Sequence, residues 1–193
     1  VMSDKVLSEA PERFALAGHS MGGRVAQEVY RKAPERVLRL ALLATDFRGQ
    51  VSEETRAAEE ARRNGMLAKV RAEGMESFAK GWVKMVVAPV NMQNAELVDD
   101  VVAMMARQTA QMLGAHTLAG LVRPDYTDML PRVTVPTLIA PGDGDTLRPV
   151  SVHEEMAARI PNSRLAVIHN SGHMVAMEQP EQVTGALREW LSL

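Results

Sequence analysis

Phe14-Ala15-Leu16-Ala17-Gly18-His19-Ser20-Met21-Gly22-Gly23 opens with four apolar residues, too few for a helix, and runs directly into a glycine-bounded serine. Behind it, Ser20 to Lys32 sets Val25, Ala26, Val29 and Tyr30 at helical spacing, and Pro34 stops further helical growth. A serine between a short strand and a helix is the context that turns Gly18-x-Ser20-x-Gly22 into a nucleophile elbow. A serine hydroxyl is a poor nucleophile at neutral pH. It needs a sharp turn to project it, flanking glycines to permit that turn, and a base to take its proton. The N-terminus of the helix that follows favours a developing anion. The same pattern also describes a serine capping a helix after a glycine turn, and the motif alone does not separate the two.

Upstream, the first 13 residues predict the end of a helix, with Ser3 as N-cap, Leu7 and Ala10 facing a core, and Pro11 closing it. Downstream, Val37 to Leu43 is almost continuously apolar, as expected of a strand buried on both faces of a parallel sheet. The next comparable strand, Val133 to Ala140, lies too far on for a structureless connection inside a compact domain. The intervening insert, about residues 47–131, from Phe47 to Pro131, is rich in helix formers and carries Leu97, Val101, Met104, Met105, Met112 and Leu113 at helical spacing. Ser151 to Ile160 predicts a helix closed by Pro161-Asn162, Leu165 to Ile168 a strand, and Pro180 the first turn of a final helix. This order predicts a single α/β domain over residues 1–193. It has a parallel sheet of about four strands, flanking helices, and a helical segment between the second and third strands.

The 193 residues are 46% hydrophobic, enough for one substantial core. A formal charge of −2 with no basic cluster along the chain excludes the electrostatic footprint of nucleic-acid or anionic-membrane binding, and gives no sign of a polyanionic substrate. The absence of cysteine excludes disulfides and thiolate metal sites, and no metal or cofactor is expected. No apolar stretch approaches transmembrane length and the start does not resemble a secretory signal, which leaves the cytoplasm as the default compartment. Three carboxylates follow core strands, namely Asp46, Asp143 and Asp145, and the histidines are His19, His116, His153, His169 and His173.

Gly18-His19-Ser20-Met21-Gly22-Gly23, Gly142-Asp143-Gly144-Asp145 followed by Pro149, and Gly172-His173 followed by Glu178-Gln179-Pro180-Glu181 resemble the three signature segments of the α/β-hydrolase superfamily, in the same order. The resemblance runs along essentially the whole chain and is closest to small cap-bearing serine esterases and lactonases. It implies Ser20 as nucleophile, His173 as general base and then general acid, and Asp145 as the carboxylate that orients the imidazole. Asp143 then reads as a turn residue and Asp46 as a loop start; His153 is expected on an exposed helix and His19 to bond locally. A serine at the elbow argues against the epoxide hydrolases and haloalkane dehalogenases, which the resemblance associates with a carboxylate nucleophile. Esters come first as substrates, then lactones and thioesters, with carbon-carbon bond hydrolysis or cofactor-free peroxidation after them.

The backbone N–H of Met21 would supply one oxyanion donor, while the second comes in the family from a loop after an earlier strand. The resemblance implies that this loop and the family's first strands are not in this chain. Phe14 to Ala17 would then form a sheet edge that invites a homodimer or pairing with another chain. A catalytically impaired fragment or a noncatalytic binding module is therefore the alternative to an active esterase. The insert would act as a lid that selects a small ester-like substrate, with Phe78, Trp82 and Met104 as candidate contacts; ordinary helix core is the alternative for each.

Overall fold

The computed structural model describes residues 2–49 and 53–193; Val1 of the expected first helix and residues 50–52 of the expected insert lie outside the described residues. Four parallel strands, β1 (Phe14–His19), β2 (Val37–Leu43), β3 (Thr137–Ala140) and β4 (Ser163–Leu165), stand side by side in chain order. Both faces of the central strands are covered. Leu40, Leu42 and Ile139 point into one core with Val29, Phe47, Leu130 and Met156. Ala41, Leu43, Leu138 and Ala140 point into the other with Val175, Val183 and Trp190. Burial on two faces is why β2 reads as a continuous apolar run rather than an alternating one.

The helices follow from the same partition. α1 (Met2–Glu9) and α2 (Met21–Lys32) lie with α6 (Val150–Arg159) against the first core, while the short α7 (Val175–Glu178) and α8 (Pro180–Ser192) cover the second. Ser3 is not the N-cap expected from sequence: α1 already includes Met2, and the Ser3 hydroxyl accepts a bond from Lys32 Nζ at 3.0 Å. Two strand boundaries also move. Val133 to Val135 leads into β3 from a short 3-10 turn, Leu130–Arg132, and Pro136 joins the ladder only through its carbonyl, which accepts from Leu40 N at 3.1 Å, since it has no N–H to offer. At the other end, β4 starts at Ser163 and closes at Leu165, leaving Ile168 in an isolated bridge to Gly142. Among the described residues no strand pairs with the outer edge of β1.

Between β2 and β3 lie α3 (Glu53–Val86), α4 (Ala95–Ala106) and α5 (Ala110–Leu121). α3 turns at Gly74, whose φ of 83° lies in the region open to glycine. Asn94 and Thr109 cap the next two helices, accepting from Leu97 N at 3.2 Å and Met112 N at 3.1 Å, which defines both starts. Val83, Val86, Val87, Leu97 and Val101 form the seam of this insert, and Met174 from the sheet side joins it. Its flanks belong to the sheet: Phe47 before it and Tyr126, Met129 and Leu130 after it are buried in the first core. No described helix is long and apolar enough to cross a membrane.

Candidate active site

The carboxyl ends of β1, β2 and β3 converge at Ser20. Its backbone has φ 51° and ψ −113°, a conformation worth roughly 1–3 kcal/mol of strain for a residue with a side chain. Four hydrogen bonds hold it there. Ser20 N donates to Leu43 O at 2.9 Å, and Ser20 O accepts from Thr45 Oγ1 at 2.6 Å, Gly23 N at 3.1 Å and Arg24 N at 3.3 Å. Close approach explains two of the glycines. A Cβ on Gly18 would sit 2.3 Å from Gly22 O, and one on Gly23 would sit 2.6 Å from the Thr45 side chain. Gly22, the last glycine of the sequence motif, faces open space, so the crowding lies at Gly18 and Gly23 instead.

Ser20 Oγ lies 2.8 Å from His173 Nε2, and His173 Nδ1 lies 2.7 Å from Asp145 Oδ2. A carboxylate accepts only, so Nδ1 carries the imidazole proton and Nε2 is left to accept from the serine hydroxyl. Asp145 is turned toward the ring by Leu147 N at 2.8 Å and Arg148 N at 3.0 Å, both donating to Oδ1. Burial pushes the Asp145 carboxyl up, but the His173 hydrogen bond and charge together with those two N–H groups leave it below its ordinary value. The other two acids are employed elsewhere. Asp143 accepts from Asn170 N and Ser171 N and pairs with His169, and Asp46 accepts from Arg48 N and faces Arg24.

The histidines sort in the same way, with two departures from the sequence expectation. His153 is fully buried rather than exposed; Thr45 N donates to its Nε2 at 3.1 Å, so its Nδ1–H donates to Pro149 O at 3.1 Å. Burial holds its pKa below 6.5. His19 does not bond locally but reaches across to donate to the carbonyl of His173 at 2.7 Å, its own pKa lowered first by burial and then by the neighbouring ring. His116 is exposed on α5.

Two residues that sequence reasoning left without a role hold the site together. Thr45 links the Ser20 carbonyl to His153. Glu178, buried, takes four donors: Gly172 N and Met174 N on Oε1, Ala88 N and Asn91 Nδ2 on Oε2. It thereby clamps both sides of His173 to the end of α3, where His173 N also donates to Val86 O at 2.7 Å. Glu178 stood in the third signature segment, but nothing in its spacing indicated four partners.

Above the serine lie two cavities, about 720 Å³ and about 440 Å³. Ser20, His173, Trp82, Met66, Met85 and Leu147 border the larger, and Ser20, Met21, Val25 and Tyr126 the smaller. Of the candidate contacts, Trp82 is therefore brought to the serine. Phe78 is buried and Met104 packs in the insert seam, and neither borders these cavities. Met21, first residue of α2, has no intrahelical acceptor for its N–H. The cavities also correct the expectation of no basic cluster: Arg24, Arg63, Arg123 and Arg148, scattered in sequence, line the smaller one together. Burial, and then repulsion from Arg123 and Arg148 against the pull of Asp46, lower Arg24 to about 10. Among the described residues no cluster of three or more His, Asp or Glu side chains could hold a metal ion.

A relay of hydroxyl, imidazole and carboxylate in this geometry can raise the nucleophilicity of an oxygen at neutral pH and return a proton to a leaving group. Comparison with known proteins agrees with the architecture. A family profile described as alpha/beta hydrolase fold matches residues 11–180. The chain is 29% identical over 188 residues to a pimeloyl-[acyl-carrier protein] methyl ester esterase from Aromatoleum aromaticum, covering 93% of this chain and 74% of that one. Among solved structures it is similar to a malate-bound thermophilic esterase from Thermogutta terrifontis (36% identity, TM-score 0.84, 94% of this chain, 65% of that one). It is also similar to a hydrolase from Pseudomonas aeruginosa (27% identity, TM-score 0.83, 98% of this chain, 69% of that one). The chain thus spans roughly two thirds to three quarters of the length of these relatives.

Proposed function

The chain belongs to the alpha/beta hydrolase fold family, and on that premise we propose that it hydrolyses a carboxylic ester or related acyl bond through an acyl-enzyme on Ser20. The observation that carries this reading is the continuous hydrogen-bonded line from Ser20 Oγ through His173 to Asp145.

In the first step Ser20 Oγ attacks the acyl carbon while His173 Nε2 takes its proton. Asp145 keeps the ring in the tautomer that can accept, and stabilises the imidazolium that forms. The carbonyl oxygen becomes an oxyanion, toward which the Met21 N–H and the N-terminus of α2 are favourable. Collapse breaks the ester C–O bond, and His173 hands its proton to the departing alkoxide. A water then attacks the acyl-Ser20 carbonyl with His173 as base, releasing the acid and restoring the hydroxyl. The strained backbone at Ser20 and the clamp on His173 keep the reacting atoms at bonding distance before substrate arrives, which is where much of the acceleration originates. The helical insert serves as the cap, presenting Trp82, Met66 and Met85 to the acyl or alcohol portion.

Serine-directed fluorophosphonate labelling, read by intact mass beside hydrolysis of short p-nitrophenyl esters, tests this. One adduct on the chain and none on Ser20→Ala is expected, with hydrolysis lowered roughly 10⁴-fold or more in the variant. Labelling or hydrolysis that survives the substitution would overturn the assignment.

A further inference from the structure

The two cavities that meet at Ser20 differ in charge from the rest of the molecule. The chain carries a formal charge of −2. Yet six cations, Arg24, Lys32, Arg62, Arg63, Arg123 and Arg148, border these cavities with only Glu28 and Glu59 among their carboxylates, and Asp46 behind Arg24. The cations come from α2, α3, the segment after α5 and the loop after β3, so their meeting is a product of the fold.

Some of this charge is neutralised in place. Glu59 bonds Arg62 and Arg63, the latter at 2.6 Å, and Lys32 pairs with Asp4 at 2.7 Å. Two guanidiniums are left short of acceptors. Arg24 Nη2 faces Asp46 at 3.5 Å, beyond good hydrogen-bond geometry, and is buried with no hydrogen-bond partner. Arg123 makes no ion pair among the described residues; one nitrogen donates to Gly120 O, and its Nε is buried with no hydrogen-bond partner. Buried donors on charged groups are costly to leave unmatched, and the four guanidiniums sharing one wall repel each other. Burial and mutual repulsion lower the pKa of both Arg24 and Arg123, the signature of cations held together without enough counter-charge.

We propose that the arginine-lined cavity beside Ser20 receives a carboxylate of the substrate, so that the hydrolysed ester is one that also carries a free acid group. A planar carboxylate in the cavity matches the guanidinium fork and supplies the counter-charge this wall lacks. The cavity, about 440 Å³, also has an apolar wall of Val25, Val122 and Pro124, which suits a short carbon chain between the acid and the ester. The recognised carboxylate is unchanged by the reaction: the ester C–O bond breaks, and water supplies hydroxyl to the acyl group and a proton to the alcohol. The proposal rests on the reading of Ser20 as the acylated residue.

Competition against fluorophosphonate labelling of Ser20 tests it, with glutarate and its neutral diamide as competitors at low salt. Glutarate should protect at about tenfold lower concentration than the diamide, Arg123→Gln should remove most of that difference, and Arg123→Lys should restore part of it. Labelling with no preference for the dianion, or equal protection by inorganic phosphate, would overturn the carboxylate site while leaving the serine reading intact. Absence of labelling would instead sink the serine reading. Calorimetric titration with glutarate then decides the cavity alone: binding weakened about tenfold in Arg123→Gln supports it, and no binding, or binding indifferent to the substitution, overturns it. Thermal unfolding of each variant identifies any that fail to fold.

Discussion

The loops at the carboxyl end of the sheet and the helical insert above them are held in different ways. Around Ser20 and His173 nearly every backbone group has a buried partner: Leu43 O, Thr45, Val86 O and the four-fold acceptor Glu178. The insert is held by a narrower seam of valines and leucines and, along α3, by pairs within the helix such as the part-buried Glu59 with Arg63 and the half-exposed Lys69 with Glu73. The first region tolerates little displacement, as a hydrogen-bond relay requires. The second carries lining residues such as Trp82, Met66 and Met85 that no hydrogen bond among the described residues ties to the relay, which on the proposed reading is where substrate choice would rest. The two meet where Val86 O and Ala88 N bond His173 N and Glu178, so the rigid part reaches into the insert at the end of α3.

That contrast predicts a ladder of effects. Asp145→Asn should leave the fold intact and lower kcat by roughly 10⁴-fold, because the amide favours the wrong imidazole tautomer. Single-turnover acylation of the variant measures this, and a drop below about tenfold would remove Asp145 from the relay. Next, Glu178→Gln sets an NH₂ group against the N–H groups that one carboxylate oxygen now accepts. We expect a loss of about 3 kcal/mol in urea unfolding, together with slower acylation as His173 loses its clamp.

The elbow glycines sharpen the comparison within the rigid region itself. Gly23→Ala should destabilise by about 1–3 kcal/mol, since its methyl meets Thr45, whereas Gly22→Ala should be neutral or stabilise by up to about 1 kcal/mol in a helix with open space beside it. Thermal denaturation of the pair gives the ordering, and the reverse ordering would show that Gly22 is the crowded position. The smallest effect belongs to the insert: Lys69→Gln breaks a half-exposed pair with Glu73 and should change stability by under about 0.5 kcal/mol. A larger loss would mean that α3 depends on its surface as the sheet loops depend on their buried bonds.

Much of this was legible in the chain. The strand, turn and helix around Ser20 could be read because a short apolar run, glycines and a 3.6-residue period are all local signals. The helical nature of the insert was legible from its length and composition. What escaped has one cause, since each missed feature joins residues distant in sequence. His153 looks like a surface residue on an amphipathic helix until the Thr45 N–H is brought to its ring 108 residues away. Glu178 looks like any acid before a proline until four donors surround it. Met104 sits at the right spacing for a pocket, but α3 and α4 pack so that it faces the seam.

By itself, then, the sequence determined the order of elements, the serine turn, and the residue types able to perform acyl transfer, because these depend on neighbours within a few positions. Tertiary structure decided which of three acids faces His173, and which glycines of the elbow are crowded. It also brought Arg24, Arg63, Arg123 and Arg148 to one wall. Charge summed along a chain says nothing about charge in a cavity: guanidiniums far apart in sequence act together only once the fold has removed the water between them.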